Sequence, residues 1–204
     1  MPTQTQLADN IYHHGFHIID HFLGAEHYRA LRETIQIKQS EGYFKPAKIG
    51  HNLAKNHHAA IRNDEIFWLD KQCKNDAINA YFSAIDSLRE ALNQSLFLGL
   101  IDYEAHFAVY QPNRFYKKHI DQFKTKKDRR ISCVYYLNER WQPDFGGELR
   151  LYDKADQPLT KIMPEGNRFV CFNSDIPHEV CTAYRTRYSI AAWLKIRPLS
   201  LAHY

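Results

Sequence analysis

Short segments with the residue pattern of β-strands dominate the chain after residue 96 and constrain its fold more than any other feature. Clusters of Gly, Pro, Asn or Asp separate most of them, for example at 111–113, 146–147 and 164–167. About eight short strands at this spacing predict a sandwich or a jelly roll. The predicted strands are 103–110, 115–120, 130–138, 148–152, 159–162, 168–172, 178–181 and 187–196.

The first 95 residues have a different character. The apolar spacing there predicts helices at 4–14, 25–40 and 73–95, and a short strand at 16–22. Residues 42–60 show no periodicity and predict a long loop, a type of segment that often carries function. We therefore expect one α+β domain over 1–204, with helical support in 1–95 and a β core in 96–204.

The charge distribution disfavours nucleic acid as a direct substrate. The formal net charge is only +4, and the positive residues are spread out apart from 117–118 and 124–130. A phosphate-binding surface needs a greater concentration of positive charge. The run at 124–130 keeps one alternative open, a basic surface that recruits an acidic or nucleic-acid partner.

The sequence predicts a cytoplasmic protein. The N-terminal residues have no basic region followed by an apolar run, so we expect no signal peptide. No stretch approaches the roughly 20 apolar residues of a membrane span. The four cysteines have no Cys-x-x-Cys spacing, and we expect reduced core thiols rather than disulfides or a zinc site. They are Cys73, Cys133, Cys171 and Cys181.

The most informative polar pair is His119 and Asp121, two residues apart where a predicted strand enters a loop. Side chains at i and i+2 leave a strand on the same face, so these two side chains can bind the same ligand. A histidine nitrogen and a carboxylate oxygen are two-thirds of the 2-His-1-carboxylate set that binds non-haem Fe(II). His178, at the start of a late strand, is a candidate for the third ligand, because a rolled sheet can bring it back beside the pair.

Arg187 extends this pattern. It shares one face of its predicted strand with Ser189, Ala191 and Trp193, and a turn at 182–185 would fold this strand back beside the one that carries His178. A planar guanidinium that stays charged suits the distal carboxylate of a keto-acid cosubstrate.

Each of these features also has a simpler interpretation. A His-x-Asp pair arises by chance in many chains, a strand His-Glu is usually an ordinary surface pair, and a single arginine is usually on the surface. His51, His57 and His58 could be taken for a metal cluster, but the polar loop around them favours a solvated stretch.

Taken together, these residues resemble a known family. The set His119-x-Asp121, His178 and Arg187 resembles the Fe(II)/2-oxoglutarate-dependent oxygenases of the prolyl 4-hydroxylase superfamily, and within it the prolyl hydroxylase domain branch of animal oxygen-sensing enzymes and bacterial relatives. Further stretches that carry the likeness are 61–68 (IRNDEIFW), 135–138 (YYLN), 146–150 (GGELR) and 177–188 (PHEVCTAYRTRY).

The resemblance implies a double-stranded β-helix (jelly roll) core and a set of site residues. His119, Asp121 and His178 would bind Fe(2+), and Arg187, Tyr136 and Tyr110 would bind 2-oxoglutarate. The loop at 42–60 would correspond to a mobile finger loop that closes over a peptide. The residues implied near the substrate are Arg62, Asp64, Trp68, Arg129 and Trp193.

The implied reaction is prolyl 4-hydroxylation of a protein, coupled to oxidative decarboxylation of 2-oxoglutarate to succinate and CO2. The implied cofactors and cosubstrates are Fe(2+), 2-oxoglutarate, O2 and L-ascorbate, and bacterial relatives suggest elongation factor Tu as the partner. Two alternatives stay open. One is hydroxylation of another residue or a small molecule, and the other is a non-enzymatic β-barrel that binds metal or a small acid.

Three departures limit what the resemblance transfers. Asp121 is followed by Gln122-Phe123 instead of the Asn-Pro of the animal enzymes, which resembles the bacterial versions. Ala191 stands where the animal oxygen sensors have threonine, so their slow, oxygen-limited behaviour is not carried over. The finger-loop sequence is not similar, which leaves the substrate open.

Overall fold

The computed structural model describes residues 4–47, 60–122 and 127–198. Three helices lie in the N-terminal part: α1 (Gln4–His14), α2 (Ala25–Ser40) and α3 (Asp76–Leu96). The strands are β1 (Phe16–Ile19), β2 (Lys45–Pro46), β3 (Glu65–Trp68), β4 (Asp102–Tyr110), β5 (Arg114–His119), β6 (Arg129–Tyr136), β7 (Leu149–Tyr152), β8 (Pro158–Ile162), β9 (Phe169–Asn173), β10 (His178–Ala183) and β11 (Arg187–Lys195).

The strands form two antiparallel sheets packed face to face. The larger sheet has the order β1-β9-β6-β11-β4-β3-β2, and the smaller has the order β5-β10-β7-β8. The eight strands β4 to β11 are those predicted from the sequence, and the chain passes repeatedly between the two sheets. The prediction of a jelly-roll core is therefore confirmed.

The N-terminal part contributes more than helical support. Its three strands β1, β2 and β3 all join the larger sheet. Strand β2 lies inside the segment predicted as a loop, of which residues 48–59 are outside the described part of the chain. Strands β2 and β3 are both short, and they form because β3 pairs with the edge of β4 and β2 pairs with β3. The local sequence of β2 and β3 does not predict these strand pairings.

Helix α3 has a clear local origin. The Asn75 side chain accepts a hydrogen bond from the backbone N–H of Ile78 at 3.0 Å, which caps the first turn. The apolar stripe of α3 is buried against the larger sheet, and the helix ends where Phe97 adopts φ 53°. None of the helices in the described ranges is long and apolar enough to cross a membrane.

Strand alternation divides the interior into two layers. On β4, Tyr103, Ala105 and Phe107 pack towards the helices, whereas Ala108 and Tyr110 face the smaller sheet. All four cysteines are free; Cys133 and Cys171 are buried in the core, whereas Cys73 and Cys181 are only partly buried. The layer between the two sheets contains the candidate site.

Asn167 connects the N-terminal part to the jelly roll. Its Oδ1 accepts from the Leu23 N–H at 3.0 Å and from the Tyr135 hydroxyl at 2.8 Å, and its Nδ2 donates to the Leu23 carbonyl at 2.8 Å. The residue is buried and has φ 62°, a conformation that asparagine tolerates better than most residues.

We expect Asn167→Ala to lower the free energy of unfolding by about 3 kcal/mol, because it leaves buried partners without hydrogen bonds. Asn113→Ala is the matched control, since Asn113 has φ 67° but is exposed. Its expected effect is about 1 kcal/mol, from the backbone conformation alone. Urea unfolding of both variants measures the difference, and equal losses would contradict the anchoring role.

Candidate metal centre and its pocket

The pairing of β5 with β10 brings the predicted metal ligands together. His119 and His178 are direct cross-strand partners, and Asp121 follows β5 by two residues. One ligand atom from each of the three lies within 4.8 Å of the others. Asp121 Oδ1 is 3.5 Å from His119 Nε2, and Asp121 Oδ2 is 3.4 Å from His178 Nε2. The sequence-predicted triad is therefore assembled.

Backbone carbonyls orient both imidazoles. His119 Nδ1 lies 2.7 Å from the Lys117 carbonyl, and His178 Nδ1 lies 2.9 Å from the Ile176 carbonyl. These contacts direct the Nδ1–H of each ring at the backbone, so each Nε2 faces Asp121 and the space between the two rings. This is the usual arrangement around a metal-binding histidine.

Asp121 is held as a buried anion. The Ser132 hydroxyl donates to Asp121 Oδ2 at 2.7 Å and lies 2.9 Å from the Ser174 hydroxyl. Burial alone would raise the pKa of Asp121, but His178 and His119 lower that pKa well below its usual range. Burial and the neighbouring His178 lower the pKa of His119. A charged carboxylate beside imidazole nitrogens suits a divalent transition metal.

A stack of side chains supports His119 from outside. The Tyr116 ring lies 3.5 Å from the His119 ring at an interplanar angle of 14°, and the Arg62 guanidinium carbon is 4.7 Å from the Tyr116 centroid. Asp64 holds Arg62 through two hydrogen bonds of 2.6 and 2.8 Å. The segment that carries Arg62 is thus coupled to the strand that carries the first metal ligand.

Arg187 is deeply buried, with 1% of its surface exposed. Its Nε donates to the Gly147 carbonyl at 2.9 Å, and its Nη1 donates to the Ser189 hydroxyl at 3.1 Å. Its Nη2 has no hydrogen-bond partner within residues 4–47, 60–122 and 127–198, and neither has the buried hydroxyl of Tyr136. Burial raises the pKa of Tyr136, so this hydroxyl stays protonated.

These unsatisfied groups fit an anionic cosubstrate. The Arg187 guanidinium carbon lies 4.9 Å from the Tyr110 ring centroid and 5.0 Å from that of Tyr136. Among described residues no carboxylate pairs with Arg187, and a buried cation without a counterion is costly. A carboxylate brought by a ligand would satisfy both Nη2 and the Tyr136 hydroxyl. The residues present therefore fit iron together with a dicarboxylate.

One pocket contains both parts of the site. Its lining includes the three candidate ligands, Arg187 and Tyr110, and also the other three residues predicted on the Arg187 strand face. Those three residues are Ser189, Ala191 and Trp193. The four residues that alternation places on one face of this strand thus all line the pocket.

Two of the five residues predicted near the substrate line the pocket. Arg62 and Trp193 contribute to the lining, whereas Asp64 is buried beneath Arg62. Trp68 is half exposed and contacts Trp193, with ring centroids 6.5 Å apart. Arg129 binds Glu104 at 2.6 Å and lies over the Trp193 ring at 3.8 Å.

Sequence reasoning missed three residues that the structure places at the site: His106, Tyr116 and Ser132. Alternation contained a signal for two of them. His106 lies on the same face of β4 as Tyr110, and Ser132 lies on the same face of β6 as Tyr136. His51, His57 and His58 are outside the described residues, as are residues 124–126 of the basic run.

We expect Asp121→Asn to abolish measurable Fe(II) binding, because it removes the one anionic ligand and presents an amide to the metal. Anaerobic titration with Fe(II) measures the affinity. Asp144→Asn is the matched control, since Asp144 is exposed. Wild-type affinity in Asp121→Asn would contradict the assignment of the centre.

We expect Tyr116→Leu to weaken Fe(II) binding about tenfold, since residues that orient a metal ligand contribute 10–100-fold to affinity. Tyr184→Leu removes an exposed tyrosine and should leave the affinity unchanged. The same titration tests both variants. Equal affinities in wild type and Tyr116→Leu would mean that the stack does not orient His119.

Comparisons with known proteins agree with this geometry. Residues 105–195 match the family model of the 2OG-Fe(II) oxygenase superfamily. The crystal structure of a Pseudomonas putida prolyl-4-hydroxylase superposes with a TM-score of 0.85 at 38% identity, covering 96% of this chain and all of that one. A prolyl hydroxylase from Trichoplax adhaerens, in complex with a hypoxia inducible factor peptide fragment, gives a TM-score of 0.84 at 30% identity, covering 94% and 88% of the two chains.

Curated relatives are also prolyl hydroxylases, but this chain covers a smaller share of their length. The Caenorhabditis elegans hypoxia-inducible factor prolyl hydroxylase is 33% identical over 88% of this chain and 26% of its own length. Human Egl nine homolog 1 is 30% identical over 88% of this chain and 43% of its own length. The chain thus spans less than half the length of these two relatives. From these similarities, the chain belongs to the Fe(II)/2-oxoglutarate-dependent oxygenases of the prolyl 4-hydroxylase superfamily.

Proposed function

We propose that this protein is an Fe(II)- and 2-oxoglutarate-dependent dioxygenase that hydroxylates a prolyl residue of a protein substrate at C4. The observation that carries the proposal is the shared pocket, in which a 2-His-1-carboxylate triad and a buried arginine with an unsatisfied N–H line the same space. The triad alone would fit many metals, and the arginine alone would fit many anions. Together they select a metal with a carboxylate-bearing cosubstrate.

The candidate metal ligands and the cosubstrate-binding residues each have a definite task in this proposal. His119, Asp121 and His178 hold Fe(2+), which together with 2-oxoglutarate and O2 supplies the oxidising power for hydroxylation, releasing succinate and CO2. Arg187 and Tyr136 bind the distal carboxylate of 2-oxoglutarate, and burial keeps water away from this ion pair. Tyr110, which lines the same pocket, also binds the cosubstrate. L-Ascorbate is proposed as the reductant that keeps the iron in the Fe(2+) state.

The substrate assignment is supported by the relatives. The Pseudomonas putida structure is of a prolyl-4-hydroxylase, and the Trichoplax adhaerens enzyme holds a peptide fragment. Elongation factor Tu is the first protein to test, because the sequence resembles the bacterial members of the family. In this proposal the whole chain is one cytoplasmic catalytic domain. Its substrate entrance is formed by Arg62, Asp64, Trp68, Arg129 and Trp193.

The proposal predicts prolyl oxidation by the reconstituted enzyme. Protein is loaded anaerobically with Fe(II) and 2-oxoglutarate, mixed with oxygenated candidate proteins and prolyl peptides, and analysed by mass spectrometry. We expect a gain of one oxygen atom on a prolyl residue, with succinate formed in equal amount. Oxidation of another residue, or succinate release without prolyl oxidation, would retain the cosubstrate chemistry and reject proline as its target.

We expect Arg187→Ala to raise the KM for 2-oxoglutarate about 100-fold while Fe(II) affinity is kept, because a buried charged partner is lost. Arg187→Lys keeps the charge but loses the planar fork, so an intermediate KM is expected. Arg185→Ala is the control, since Arg185 is exposed on the preceding turn. A succinate-release assay with unchanged KM in Arg187→Ala would contradict the cosubstrate role.

A further inference from the structure

His106 is a pocket residue that the proposed reaction leaves without a task. It lies on β4 and is only 1% exposed, and it lines the same pocket as the metal triad and Arg187. Its cross-strand partners are Trp68 on β3 and Ala191 on β11. It is therefore fixed in the wall of the pocket, on an interior strand of the larger sheet.

The residues predicted near the substrate are grouped around His106. Its ring is 5.1 Å from the Trp68 ring and 5.3 Å from the Trp193 ring, measured between centroids. The charges of Arg62, Asp64 and Arg129 all act on its imidazole. Two of the predicted substrate residues thus contact His106 and the other three act on it electrostatically, although the family resemblance does not assign this histidine.

The hydrogen-bonding state of His106 is well defined. Its Nδ1 lies 3.1 Å from the Phe107 carbonyl, which places the ring proton on Nδ1. Burial and the nearby Arg62 charge lower the pKa of His106 to about 4, so the ring is neutral near pH 7. Its Nε2 consequently keeps a lone pair and can act only as an acceptor.

This Nε2 is free to meet a ligand. It forms no hydrogen bond within the described part of the chain, and it is not among the fully enclosed polar atoms without partners. Nε2 is therefore not fully enclosed, and His106 lines the pocket. This nitrogen is thus a hydrogen-bond acceptor that the pocket offers to a ligand.

We propose that His106 is a specificity-determining residue that accepts a hydrogen bond from a backbone N–H of the peptide substrate beside the target proline. Proline has no backbone N–H of its own, so the donor belongs to a neighbouring residue. A peptide without that donor would leave Nε2 unpaired in a closed site, and such sites reject ligands that lack the matching group. The inference rests on the proposed prolyl hydroxylase function.

The test combines a variant with a modified substrate. His106→Phe keeps a ring between the two tryptophans and removes the acceptor, and His106→Gln restores an acceptor oxygen. His17→Phe is the matched control, because His17 is also a buried histidine but lies on β1 outside the pocket. The probes are a prolyl peptide that the wild-type enzyme hydroxylates and derivatives N-methylated at each residue flanking the proline.

We expect His106→Phe to raise the KM for the peptide about tenfold, the effect of one lost hydrogen bond in a closed site. Affinities for Fe(II) and 2-oxoglutarate should stay at wild-type values, and His106→Gln should recover part of the loss. With the wild type, one N-methyl derivative should have a KM about tenfold higher than that of the unmodified peptide. With His106→Phe, the same N-methylation should raise the KM no further, because both changes remove the same hydrogen bond.

Other outcomes overturn the inference in distinguishable ways. An unchanged peptide KM in His106→Phe, or additive effects of variant and N-methylation, would reject the hydrogen bond while prolyl hydroxylation stands. Loss of Fe(II) affinity or of the folded state in His106→Phe, without such loss in His17→Phe, would assign His106 a structural role. If the wild-type enzyme hydroxylates no prolyl peptide, the proposed function fails and this inference fails with it.

Discussion

The antiparallel pairing of β5 with β10 is the contact on which the rest of the site depends. It sets His119 directly opposite His178 and places Asp121 between their Nε2 atoms. The two strands are far apart in sequence, so only a sheet that rolls back on itself can pair them. A shift of one residue in this register would turn each side chain to the opposite face and dismantle the centre.

Burial is the second constraint. Asp121 and Arg187 lie in the layer between the sheets, where an unpaired charge is expensive. Asp121 is stabilised by its histidines and by Ser132, whereas Arg187 keeps one unsatisfied N–H beside the unsatisfied Tyr136 hydroxyl. The buried carboxylate of Asp121 therefore has its partners within the protein, whereas the buried guanidinium of Arg187 keeps a donor that a ligand can satisfy. This asymmetry prepares the pocket for a metal on one side and a carboxylate on the other.

Local pattern predicted most of this arrangement. Alternation on β11 placed Arg187 and Trp193 on one face, and turn residues delimited the eight core strands. What local pattern could not supply was pairing. The strands β2 and β3 are short and form only against the edge of β4, and His106 gains its environment from partners on β3 and β11. The short strands and the environment of His106 can be recognised only when the neighbouring strands are known.

In the proposed function, one pocket binds iron and 2-oxoglutarate together. A crystal structure of the protein prepared anaerobically with Fe(II) and 2-oxoglutarate would show both ligands. We expect an anomalous iron peak within coordination distance of His119, Asp121 and His178, and a ligand carboxylate on Arg187 and Tyr136. Iron bound at another position, or 2-oxoglutarate bound away from Arg187, would contradict the proposal.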